Sequence, residues 1–292
     1  MGFPNPRTLR DRVIVVTGAS RGIGRDIAMR AAADGAAVVL LAKTNTPNPR
    51  IAGTLTETAD AVRAAGGVAL PLVCDVRDAE SVARAVGEAV QQLGAIDIVV
   101  NNAGALDLRS TEQLPPNSFR RLLAVNVEGP FAVVQAALPH LRRSSNSHIV
   151  NVSPPLNLQP AWVGANVGHT VGKYAESLLT LGWAEEFASV PIAVNSLWPA
   201  TTVASTGMLV AMGEDAVRAQ ARDPRIMADA LHALVTRPAG QCTGRFYTDE
   251  EVLREEGVQD FSRYRLAARE EDLTPNFYLA PHPGLAAAAA PR

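Results

Sequence analysis

The run Thr17-Gly18-Ala19-Ser20-Arg21-Gly22-Ile23-Gly24 carries glycines at a spacing that lets a backbone turn tightly and approach a phosphate closely. It follows the β-branched run 13–16 and opens a helical stretch at 26–34. The first N–H groups of a helix lack intrahelical partners and lie in positive potential, so this unit suits an anionic pyrophosphate. A lone glycine motif is weak; these flanks make it specific. The second apolar run ends in Leu41-Ala42-Lys43-Thr44, where an NAD site usually places an acid on the ribose 2′-OH. No acid lies between Asp34 and Glu57. Lys43 stands there instead, with Arg21 in the glycine loop, and two cations favour the 2′-phosphate of NADP over NAD. A solvated lysine and a helix-end arginine are the bland alternative. The segment 45–50, with two prolines, is expected to wall the adenosine side, with Arg50 able to help.

The elements that must position this loop follow from the apolar pattern. Runs at 13–16, 37–42, 68–73 and 96–100 alternate with amphipathic stretches at 26–34, 55–65 and 79–93. Three times a glycine (Gly35, Gly66, Gly94) stands where a helix C-cap needs a left-handed residue, just before the next apolar run. Strands alternating with helices predict a doubly wound parallel α/β sheet, Rossmann-type, covered on both faces. The second half continues with a long helix at 118–141, a strand at 149–152, a helix at 171–188 and a strand at 192–197. Residues 199–225 have no clean period and read as a lid with some helix. Then come a helix at 226–235 and a last strand at 244–247. The expectation is one domain over 1–266, with a loosely held tail over 267–292.

Composition narrows the function. The chain has 292 residues, 47% hydrophobic and 19% charged, with net charge −2, enough for a sizeable core but no field for nucleic acid or anionic membrane. No apolar run of membrane-spanning length and no signal core is evident. Two cysteines, Cys74 and Cys242, form no CxxC pair, which argues against a disulfide framework or zinc site and suits a reducing, cytoplasmic compartment. His140, His148, His232 and His282 show no metal-ligand spacing, so no metal is expected.

Thr17 to Gly24, Asp75-Val76, Asn101-Asn102-Ala103-Gly104, Asn126, Ser153, Lys173 and Pro199 occur in the order seen in short-chain dehydrogenases/reductases. The chain resembles that family over residues 12–249, and within it the hydroxysteroid dehydrogenase-like branch. The branch's features here are Ala42-Lys43-Thr44, the stretch from Asn151 to Leu158 with its Pro154-Pro155, Ala184-Glu185-Glu186-Phe187 and Leu197-Trp198-Pro199. The resemblance implies a nicotinamide cofactor and a small-molecule carbonyl or alcohol as substrate. It implies that Asp75 and Val76 meet the adenine, that Asn102, Ala103 and Gly104 line the ribose side, and that Pro199 and Thr202 approach the nicotinamide. The usual Pro-Gly pair is Pro199-Ala200 here. The family's long helices pair across a two-fold axis, which implies a homodimer or homotetramer through 118–141 and 171–188.

The family's catalytic set is Ser, Tyr, Lys and Asn. Lys173 and Asn126 match, but the tyrosine position, four residues before Lys173, holds His169. The two share a helix face. Tyr174 points about 100° away and is a poor substitute. The second serine of the usual pair is Pro154, so Ser153 is the implied counterpart that orients a carbonyl. Imidazole is a common general acid–base, and the Lys173 ammonium pushes it toward its neutral form, which keeps one N–H donor. Two further readings stay open beside a reductase with His169, or a water it holds, as proton donor. One is an NADP-binding protein without turnover; the other is a non-redox enzyme on the same fold.

Overall fold

A computed structural model of the chain describes residues 7–48 and 51–279. Seven parallel strands form one sheet in the order β3-β2-β1-β4-β5-β6-β7. They are β1 (Val13–Thr17), β2 (Ala37–Ala42), β3 (Val68–Val73), β4 (Ile98–Asn101), β5 (Ser147–Asn151), β6 (Ile192–Trp198) and β7 (Phe246–Thr248). In β1 and β2, Ile14, Val16, Val38 and Leu40 enter one core while Val15, Val39 and Leu41 enter the other. Alternate side chains point to opposite faces, and both faces are roofed, so the strands are apolar throughout.

Helices α1 (Gly22–Ala33), α2 (Leu55–Ala64), α10 (Arg225–Val235) and α11 (Asp249–Glu255) cover one face. The other is covered by α3 (Ala79–Leu93), α5 (Gly129–Leu141) and the C-terminal part of α7 (Val167–Glu186). Local chemistry sets the ends. Thr54 and Glu57 form a capping box at α2, Asp78 caps α3, and Gly94 ends α3 at φ +79°.

The long helix expected at 118–141 begins earlier and is not uniform. Helix α4 (Pro116–Leu123) passes through a π-turn at Ala124–Glu128 into α5. By length and composition the stretch Pro116–Leu141 could cross a membrane, contrary to the sequence expectation. It also holds the buried Asn126 and packs Val133, Ala137 and Leu141 into the sheet core, as the core helix of a folded domain does. The region 199–225 contains α8 (Thr206–Met212) and α9 (Glu214–Arg218), and α6 (Pro160–Ala165) precedes α7.

The tail expectation needs correction. Residues 267–279 are tied down, because aromatic burial there outweighs the local turn composition. Asn157 Nδ2 donates to the Tyr278 carbonyl at 2.9 Å, Trp198 Nε1 donates to the Phe277 carbonyl at 3.1 Å, and the Tyr278 and Thr170 hydroxyls are 3.0 Å apart. Tyr278 is buried against Trp162, Tyr174 and Trp198. Residues 280–292, and Arg50, lie outside the described residues.

Candidate active site

Strand order reverses between β1 and β4, so the loops leaving their C-terminal ends diverge and open a crevice, the place where open α/β sheets take ligands. A cleft of about 640 Å³ lies there. Of the expected residues, Gly18, Ser20, Arg21, Gly22, Ile23, Lys43, Asp75, Val76, Asn102, Ala103, Gly104, His169, Lys173 and Pro199 line it. Thr17, Gly24, Asn126, Ser153 and Thr202 are not part of the lining, and each has an identifiable reason.

Thr17 knits the two loops together. Its hydroxyl accepts from the backbone N–H groups of Asn102 (3.0 Å) and Ala103 (2.9 Å), and Asn102 Nδ2 donates to the Thr17 carbonyl at 2.8 Å. Gly24 sits behind that seam. A Cβ there would lie 2.5 Å from Asn102 Nδ2 and 2.6 Å from the Gly18 carbonyl oxygen. Gly18 itself takes φ +67°, a turn that L side chains rarely adopt. The glycines therefore let the β1 loop pack flat against the β4 loop.

At the β2–β3 end, Arg21 donates to the Gly53 carbonyl at 2.8 Å. Lys43 is exposed on the cleft wall, and with Arg77 its charge holds the Asp75 carboxyl below the usual carboxylate range. Most of that lowering comes from Arg77, whose guanidinium grips both Asp75 oxygens. Arg77 was missed by the sequence reading. A cation two residues after an expected adenine-contacting acid was the available signal.

At the opposite end, the π-turn presents Asn126, whose Oδ1 accepts from Ala105 N (2.8 Å) and whose Nδ2 donates to Ala105 O (3.1 Å). Asn126 thus stands behind the β4 loop and fixes it. A π-turn inserted in a helix often marks a functional position.

Ser153 departs from the expectation. It is fully buried, and its hydroxyl pairs with Ser196 Oγ at 2.8 Å in a chain that continues to Thr180 and Asn151. The pairing of β5 with β6 places Ser196 within its reach, so its hydroxyl is engaged within the sheet and does not line the cleft. Thr202 lies outside the lining, its backbone tied on both sides. Its N–H donates to Thr274 O at 2.8 Å and its carbonyl accepts from Arg222 N at 2.9 Å. Thr206, one helical element further on, lines the cleft in its place and faces Gly22. Pro199 keeps its position because the buried Asp249 carboxylate accepts from Ala200 N at 2.8 Å.

His169 and Lys173 come together on α7, as their spacing predicts, and both are nearly buried, at 3% and 6% exposed. Burial, then the Lys173 charge, pushes the His169 imidazolium down to about 3, so the ring is neutral. One hydrogen bond runs to the Ala105 backbone, and Nδ1 has no partner. Lys173 Nζ donates to the Val152 carbonyl at 2.8 Å and to Glu176 Oε2 at 2.7 Å, and lies 5.8 Å from the Trp198 ring centroid. Burial raises the Glu176 carboxyl to about 7 while Lys173 pulls it back. Tyr174 is turned away, donating its hydroxyl to the Asn157 carbonyl, and burial raises it to about 12. Among the described residues no cluster of His, Cys, Asp and Glu could hold a metal.

The seven-stranded parallel sheet, the glycine-bound β1–β4 crevice and the lysine on α7 define a nicotinamide-dependent oxidoreductase fold. The chain belongs to the short chain dehydrogenase family, whose profile matches residues 12–216. Hydroxysteroid dehydrogenase-like protein 2 of Danio rerio is 43% identical over 279 residues, covering 96% of this chain and 66% of that protein. A short chain dehydrogenase structure from Mycobacterium thermoresistibile superposes with a TM-score of 0.88 at 40% identity, covering 94% of this chain and 96% of the other. A metagenomic short-chain oxidoreductase solved in complex with NADP gives a TM-score of 0.68 at 26% identity, covering 82% of this chain and 97% of the other. The chain spans 53% to 68% of the length of such curated relatives.

Proposed function

We propose that the chain is an NADP(H)-dependent oxidoreductase that interconverts a carbonyl and an alcohol on a small molecule, with His169 at the position of the family's tyrosine. The observation that carries this reading is one continuous cleft with the glycine loop and Lys43 at one end and Lys173 at the other. The residues fit the cofactor. Glycine-loop N–H groups suit the pyrophosphate, Lys43 and Arg21 a 2′-phosphate, and Asp75 and Val76 the adenine. Asn102, Ala103 and Gly104 suit the ribose side, Lys173 the nicotinamide ribose, and Pro199 the nicotinamide.

When bound, the cofactor donates or accepts a hydride at the substrate carbon. The chain must then handle the proton on the substrate oxygen. A neutral imidazole gives up its remaining N–H poorly at pH 7, so in the reducing direction the proton comes from bulk solvent through water in the cleft, and His169, in the cleft wall beside Lys173, is the side chain that meets that water. Asn126 keeps the Ala105 backbone, and through it the imidazole, in place. Two buried, unpaired cysteines suit a reducing cytoplasm, and we assign the chain there.

The burial of Ser153 favours a second reading, since its hydroxyl is engaged by Ser196 and it does not line the cleft. The chain would then bind NADP without turnover, as a sensor or partner subunit. One experiment separates the two. NADPH and NADH binding are titrated by fluorescence, and NADPH oxidation is followed with a panel of aldehydes and ketones. The reductase reading expects NADPH to bind more tightly than NADH, with Lys43→Asp narrowing the gap. It expects His169→Ala to lower turnover by roughly 10²–10⁴-fold at near-unchanged NADPH affinity, and His169→Tyr to keep or raise turnover. Binding with no oxidation by parent or His169→Tyr selects the second reading.

A further inference from the structure

We propose that Glu176 is the built-in counterion of Lys173 and sets the charge of the nicotinamide end of the cleft, favouring the oxidised cofactor relative to the reduced one. Three observations carry this. Glu176 is fully buried, and among the described residues its carboxylate takes one hydrogen bond, the 2.7 Å contact from Lys173 Nζ. Its other oxygen, Oε1, is buried without a partner, so no hydroxyl or backbone N–H accounts for its placement. Finally, the other acceptor of Lys173 Nζ is the Val152 carbonyl, a neutral group, so Glu176 is the partner that offsets its charge. A buried carboxylate is costly unless it answers a charge. Here the charge it answers belongs to Lys173, which lines the cleft with His169 and Trp198.

The consequence is electrostatic. The oxidised nicotinamide ring carries one more positive charge than the reduced ring. An uncompensated ammonium nearby would repel the oxidised form, while above about pH 7, where Glu176 is ionised, the Lys173–Glu176 pair is neutral as a unit and removes that bias. Other charged or titratable groups toward this end are His169, neutral beside Lys173, the cleft-lining Arg121, and Asp107, whose carboxylate is paired with Arg109 and Arg121. None replaces Glu176 as the partner of Lys173. Glu176 acts through Lys173 and is a positioning residue, not one that touches substrate.

The inference rests on NADP(H) binding at this cleft, and its test separates the two. At pH 8, where Glu176 is ionised, the full-length chain is titrated with NADPH by fluorescence and with NADP⁺ by competition, for the parent, Glu176→Gln, and the double variant Lys173→Met with Glu176→Gln. The quantity read is the ratio of the two dissociation constants. Glu176→Gln should weaken NADP⁺ relative to NADPH by roughly tenfold, the scale of one unit charge several ångströms away in a partly screened interior. The double variant binds both forms more weakly, but its net-neutral pair should bring the ratio back to about the parent value. It also keeps the test decisive if Glu176→Gln folds poorly, because a double variant with a shifted ratio contradicts the proposal. A ratio unmoved in Glu176→Gln, with both forms still bound, overturns the role of Glu176 alone. A parent that binds neither form overturns the cofactor reading and this inference together.

Discussion

His169 pays for its place in the wall of the cleft at low pH. In the folded chain its imidazole stays neutral down to about pH 3, whereas in an unfolded chain it takes a proton near the ordinary value of 6.5. Between those values unfolding binds a proton, so the stability His169 allows at pH 7 is lost as pH falls below about 6.5. His148, pushed down to about 4 by burial, acts in the same direction. Glu176 and Asp249, both raised to about 7 by burial, act oppositely, since the folded chain holds their protons at pH values where an unfolded chain has released them. Whole-protein acid curves therefore mix both signs, and the difference against a variant isolates one residue. Relative to His169→Asn, the parent should lose about 2 kcal/mol more stability between pH 7 and pH 5, measured by urea unfolding at each pH. Equal losses in the two proteins would mean that the imidazole is not held neutral. At this scale the sequence identified the i, i+4 pair of His169 and Lys173, because helical spacing alone brings them together. It could not show that Ser153 turns inward, because that depends on Ser196, a partner 43 residues away supplied by β5–β6 pairing. It could not show Glu176 beneath Lys173 either, since a glutamate in a helix reads as a solvated one until the neighbouring sheet covers it.

Elements differ in how much of their form is local. The β1–α1 glycine loop was legible because its strand, turn and helix follow one another in the chain, and the same holds for β2, β3 and α3. The π-turn at Ala124–Glu128 was not legible. It coincides with the paired bonds of Asn126 to the Ala105 backbone, 21 residues distant, and no local pattern encodes them. The C-terminal segment was misread for a related reason. Turn-rich composition describes its backbone, while Phe277 and Tyr278 find an aromatic niche made by Trp162, Tyr174 and Trp198. Two glycines test the difference between close packing and open space. Gly24→Ala places a methyl against Asn102 and the Gly18 carbonyl, so it should cost about 1–3 kcal/mol and weaken NADPH binding together. Gly87→Ala, in the middle of α3 with nothing within 4 Å of the new methyl, should add roughly 0.5–1 kcal/mol through helix propensity. Thermal melts and a cofactor titration of both variants check this, and a Gly24→Ala chain as stable and as tight as its parent would contradict the seam between the two loops.

At the scale of the whole molecule, one face is left with more apolar surface than a single chain can cover. Val171, Leu178 and Leu181 on α7 and Phe131 on α5 are exposed, Leu178 by 57% and Phe131 by 49%. The Phe131 and Trp183 rings lie 6.3 Å apart, so the two helices share that surface rather than presenting separate spots. Val171 and Leu178 are seven residues apart on one helix, which puts them on one stripe. A contiguous apolar stripe of this kind favours self-association, and a two-fold arrangement lets the same stripe serve both partners. The inner side of α7 carries His169, Lys173 and Glu176 while its outer side carries the stripe, so pairing of α7 with its symmetry mate would also stiffen the helix that holds the chemistry. We expect the chain to be a dimer, or a tetramer built from such dimers, by light scattering at micromolar concentration. Leu178→Glu would bring two carboxylates together near the axis, so it should shift the population toward monomer and lower the melting temperature. A parent that scatters as a monomer, or a Leu178→Glu variant with undiminished mass, would show that these helices do not form the interface.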